Sequence, residues 1–112
     1  MKPPRKQNPA DKSARCEALY EALACLRSAD ECRAFLEDLC TPAEIEAMCD
    51  RWVVVGWLQR GLPYREIHQH TGVSVTTIAR VARYLAAGHG GYQTALKRQA
   101  RRPKRTNLVE QS

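Results

Sequence analysis

The chain has 112 residues, with 18 Lys and Arg against 12 Asp and Glu and a formal net charge of +6. That length suits one domain with a modest core, which dimerisation would enlarge. No apolar run approaches the length of a membrane span, and the basic start Met1-Lys2-Pro3-Pro4-Arg5 has no apolar run behind it; a membrane class is excluded and a cytoplasmic protein is expected.

Residues 1–10 are polar, carry Pro3, Pro4 and Pro9, and read as a disordered basic arm. The folded domain is expected over residues 11–99. Asp11 or Ser13 can cap a first helix running to about Leu26, with Cys16, Leu19, Tyr20, Leu23 and Leu26 on one face. Ser28 followed by Glu31 is a capping box that opens a second helix, whose apolar stripe is Cys32, Phe35, Leu36 and Leu39. Thr41-Pro42-Ala43-Glu44 is the clearest start signal in the chain: a capping threonine, a proline at the first helical position and a glutamate to complete the box. The third helix then runs to Arg60 and stops at Gly61. Within it, Trp52-Val53-Val54-Val55-Gly56-Trp57 is locally strand-like. The apolar pattern from Ile45 through Met48, Trp52, Val55 and Leu58 outruns an ordinary strand, however, and helix caps frame it. Apolar on nearly all sides, this helix is expected to be central and buried against a second subunit.

Residues 63–87 carry the most informative pattern. Leu62-Pro63 opens a short helix in which Ile67 faces inward. Gly72 supplies a permissive turn, Val73 plugs the angle, and Ser74 caps a second helix to about Ala87. Two short helices joined at a fixed angle through a glycine are a helix-turn-helix, which places its second helix in the DNA major groove. His89-Gly90-Gly91 breaks that helix, a last short helix covers Tyr92 to about Gln99, and residues 100–112 read as a disordered basic tail.

Charge follows the same division. Residues 16–50 hold nine carboxylates against Arg27 and Arg33, whereas residues 51–105 hold eleven Lys or Arg against Glu66 alone. Such a chain presents a basic side to a polyanion, here double-stranded DNA. On the helix-turn-helix reading, Val75, Thr76 and Ala79 are short enough to let the second helix approach base edges. Arg65 and His68 lie on the side of the first motif helix that crosses the phosphate backbone, with a plain surface histidine as the alternative for His68. Lys97 and Arg98, with Arg101, Arg102, Lys104 and Arg105, form a basic run that adds sequence-independent, salt-sensitive affinity.

The five cysteines, Cys16, Cys25, Cys32, Cys40 and Cys49, form no CxxC pair and lie far from His68, His70 and His89. They are expected to be reduced, buried thiols acting as small apolar residues, with no metal site. No phosphate loop, Cys–His arrangement or paired catalytic carboxylates occur, so an enzyme is not expected.

The order of elements and the residues that carry it resemble the Trp-repressor superfamily, and within it the YerC/YecD-type branch of regulators, over residues 29–97. The carrying residues are Leu39-Cys40-Thr41-Pro42-Ala43-Glu44, Arg51, Leu58-Gln59-Arg60-Gly61, Arg65-Glu66-Ile67 and Thr77-Ile78-Ala79-Arg80. The resemblance implies an all-α, intertwined helical homodimer with one helix-turn-helix per subunit. It implies a repressor reading a near-palindromic operator, with recognition helices about 34 Å apart as is usual for this motif. It also implies a corepressor pocket, of which Thr41, Arg51, Thr77 and Arg80 match the family. Val81 replaces a glycine and Tyr84 a serine, and the added bulk argues against tryptophan as the corepressor. Tyr84 could fill that slot with its own ring. Arg51 and Arg80 have two readings from their chemistry: a guanidinium pair for a ligand carboxylate, or partners for a nearby acid and for DNA phosphate respectively. No cofactor motif is present beyond this small-molecule site. The alternative to a sequence-specific regulator is a protein-interaction module with a degenerate helix-turn-helix and merely nonspecific DNA affinity.

Overall fold

A computed structural model describes residues 9–103. Most of the expected arm and most of the expected tail fall outside these residues. Among the described residues there are six helices and no strand: α1 Pro9–Ala24, α2 Ala29–Leu39, α3 Pro42–Gln59, α4 Tyr64–Thr71, α5 Val75–Ala87 and α6 Gly91–Arg101. None is long and apolar enough to cross a membrane. The chain divides into two compact units between Ile45 and Glu46.

Local chemistry accounts for the helix ends. Ser28 accepts from the Glu31 amide to start α2 (3.0 Å), while the Glu31 carboxylate accepts from the Arg27 amide (2.8 Å). At α3 the capping box is reciprocal: the Glu44 amide donates to Thr41 Oγ1 (3.1 Å) and the Thr41 amide to Glu44 Oε1 (2.7 Å). Each such cap contributes about 1 kcal/mol. The strand-like Trp52–Trp57 run is helical throughout, and α3 gives way to a turn that ends at Gly61 with φ 79°. Helix α1 is already formed at Pro9, the first described residue, upstream of the Asp11 or Ser13 cap read from the sequence.

In the first unit, α1 and α2 contain no buried residue. Leu19, Tyr20, Leu23 and Leu39 are exposed large apolar side chains. The thiols expected to be buried are instead exposed at Cys16, Cys25 and Cys32, half-buried at Cys40 and, in the second unit, exposed at Cys49. Leu26, read as part of the first apolar stripe, lies beyond the end of α1, and Phe35 and Leu36 of the second stripe are half-buried.

The second unit holds the core. Val54 and Val55 of α3, Ile67 of α4, Val73 of the turn, and Ile78 and Val81 of α5 are buried together. Trp52, Trp57, Leu58, Leu62, Leu85, Tyr92 and Leu96 pack around them. Helix α3 is therefore central to this unit but buried on one face only, for Val53 and Met48 remain exposed.

Candidate nucleic-acid interface and adjoining cleft

Helices α4 and α5 form the helix-turn-helix. Gly72 ends α4 at φ 76°, ψ −4°, a left-handed conformation that side chains other than glycine adopt only with strain. Val73 is buried in the angle, as its place between Gly72 and Ser74 predicts. Ser74 Oγ accepts from the Thr77 amide (3.1 Å) and donates to Thr77 Oγ1 (3.1 Å), fixing the first turn of α5. Ile78 and Val81 bury one face of α5, which leaves Val75, Thr76 and Ala79 exposed near its N-terminus. Short, exposed side chains at that end allow close approach to base edges.

On α4, Arg65 is exposed. His68 is not a free surface ring: its Nδ1 lies 2.7 Å from the Val73 carbonyl oxygen. Thr71 Oγ1 donates to the Ile67 carbonyl (2.7 Å) and accepts from the Val73 amide (3.0 Å). Nearby, His70 stacks on Trp57 with ring centroids 4.6 Å apart, and the Arg60 guanidinium stands 4.9 Å from the same indole.

An open cleft of about 510 Å³ lies beside α5, lined by Arg51, Arg80, Val81, Tyr84, His89, Gly91 and Tyr92. The Arg80 guanidinium lies 4.6 Å from the centre of the Tyr84 ring, within cation–π range. Tyr92 packs against Trp52 with centroids 6.2 Å apart. Two arginines and two tyrosines line one space, with no carboxylate in its lining among the described residues, a setting suited to a planar anion.

The model of the family described as Trp repressor protein matches residues 14–100. The chain belongs to the Trp repressor family. It is 38% identical over 82 residues to the uncharacterized protein YerC of Bacillus subtilis (strain 168), a match covering 73% of this chain and 79% of YerC. Its fold is similar to that of a TrpR-like protein from Eubacterium eligens ATCC 27750, with a TM-score of 0.74 and 35% identity, covering 87% of this chain and all of the other. A candidate Trp repressor from Staphylococcus aureus is similar at a TM-score of 0.73 and 32% identity, covering 88% of this chain and all of that one. Trp-repressor-like proteins are regulators that bind DNA.

For this member of the Trp repressor family, four of the six residues read as an effector pocket (Arg51, Arg80, Val81 and Tyr84) line one cleft. Thr77 is half-buried and holds Ser74, and Thr41 is engaged in the α3 capping box. Tyr84 forms a wall of the cleft, 38% exposed, rather than filling it. His89, Gly91 and Tyr92 join the lining from the α5–α6 corner. Sequence reasoning treated His89 and Gly91 as helix breakers and gave Tyr92 no part in a site, since their approach to Arg51 is a tertiary event. Lys97 and Arg98 are exposed on α6, away from Tyr92 and Leu96, which pack on the core.

Proposed function

We propose that the protein is a cytoplasmic, homodimeric, sequence-specific DNA-binding repressor that acts by occupying its operator, without catalysis. The observation that carries this reading is the helix-turn-helix itself, with a capped α5 that exposes Val75, Thr76 and Ala79 at its N-terminal end and buries Ile78 and Val81 behind them. Family membership and the basic residues from Arg51 onward support it. In this reading Val75, Thr76 and Ala79 approach base edges, while Arg65, Lys97 and Arg98 neutralise phosphates. The homodimer draws support from the uncovered apolar residues of α1 and α2, whose burial by a second copy would remove Leu19, Leu23 and Leu39 from water. The cleft beside Arg80 is the effector site in the same proposal. Its guanidiniums suit a small carboxylate-bearing ligand, and Tyr84 in place of a smaller residue disfavours tryptophan.

The test is titration of a duplex enriched from a random pool against an unselected duplex, with Thr76→Ala and Ala79→Asp beside the wild type. Ala79→Asp brings a carboxylate toward the DNA and is expected to abolish preference for the enriched duplex. Thr76→Ala is expected to cost about 1–3 kcal/mol on that duplex alone. Equal loss on both duplexes would remove the base-reading assignment.

A further inference from the structure

Val73 is the last residue before the N-cap of α5, and side chains of α4 hold both of its backbone polar groups. Its amide donates to Thr71 Oγ1 at 3.0 Å, and its carbonyl is 2.7 Å from His68 Nδ1. Its own side chain is buried in the core. Between them the chain turns at Gly72, with φ 76°. The direction in which α5 leaves the turn depends on the torsions at Val73 and Ser74, and the His68 bond restrains the Val73 carbonyl.

A carbonyl oxygen can only accept, so Nδ1 carries the proton. In the neutral ring Nε2 then holds a lone pair and is itself an acceptor. Phosphate oxygens are acceptors too, so with Nδ1 given to the Val73 carbonyl only a protonated ring could turn a second N–H toward phosphate, whereas the bond to Val73 is made within the protein in either state. We infer that His68 is a positioning residue of the DNA interface, which locks the helix-turn-helix turn through the Val73 carbonyl and so sets how Val75, Thr76 and Ala79 are presented. The inference rests on the DNA-binding reading above.

Three variants of the full chain separate positioning from phosphate contact. His68→Asn puts an amide N–H near the place of Nδ1, His68→Lys supplies a stronger phosphate cation with no donor at that reach, and His68→Ala removes both. Each is titrated with the enriched and unselected duplexes over a range of salt, at a temperature where circular dichroism shows it folded. The expected result is an enriched-to-unselected affinity ratio near wild type for His68→Asn, a ratio about tenfold lower for His68→Lys and His68→Ala, and no loss of salt slope. Wild-type behaviour of His68→Lys, with His68→Asn weakened on both duplexes and a shallower slope, would overturn the inference; so would identical behaviour of the Asn and Lys variants. A readout free of DNA is the imidazole nitrogen spectrum, in which neutral His68 is expected as the Nδ1–H tautomer. An Nε2–H tautomer refutes the latch even if DNA binding stands, whereas a wild type without duplex preference refutes the DNA-binding reading instead.

Discussion

At Gly88, where α5 ends and the chain turns toward α6, a Cβ would stand 2.4 Å from the Tyr84 carbonyl oxygen and 3.1 Å from its carbonyl carbon. Those are backbone atoms of α5, and the Gly88 amide already donates to that oxygen at 2.9 Å. Any side chain must therefore displace the end of the helix. Gly88→Ala is expected to destabilise the protein by about 1–3 kcal/mol, read from urea unfolding; an unchanged midpoint would show that the corner yields freely. Ser74, Ile67 and Val73 were legible in the sequence because caps and apolar spacing are local signals. The His68–Val73 bond was not: it spans five positions and exists only once Gly72 has turned the chain. His89 and Tyr92 escaped for a similar reason, since they meet Arg51 and Arg80 only after the α5–α6 corner has formed.

Among the helices, α3 was the harder reading, because its Trp52–Trp57 run has the composition of a strand. The flanking Thr41–Glu44 box and Gly61 outweighed it, and the buried Val54 and Val55 use the run as one face of a helix. Ends were less legible than identities. Helix α6 extends to Arg101, where Arg98 and Arg101 in its last turn favour the helix dipole. The same basic residues carry the prediction for this element. Replacing Lys97 and Arg98 with alanine is expected to weaken binding to enriched and unselected duplexes alike, with the salt slope shallower by roughly one to two per subunit. A loss confined to the enriched duplex would place these side chains in base reading instead.

Across the whole molecule, the sequence is acidic in its first part and basic in its second. Residues 16–50 carry exposed apolar side chains, among them Leu19, Leu23 and Leu39, and four exposed thiols as well as the half-buried Cys40, which fits a surface completed by a second copy. Residues 51–103 carry the core, the helix-turn-helix and the cleft. The sequence told most of the residues that form the stripes, but burial depends on what covers them, and the expectation of buried cysteines failed there. The central claim is that two such chains together read one DNA sequence. Its most direct test is selection of bound duplexes from a random pool by the full chain at about 150 mM salt, without added ligand. The expected result is enrichment of an inverted repeat whose half-site centres lie about one helical turn apart. A pool that enriches no motif, with binding that disappears evenly as salt rises and is not restored by small aromatic carboxylates, would contradict it.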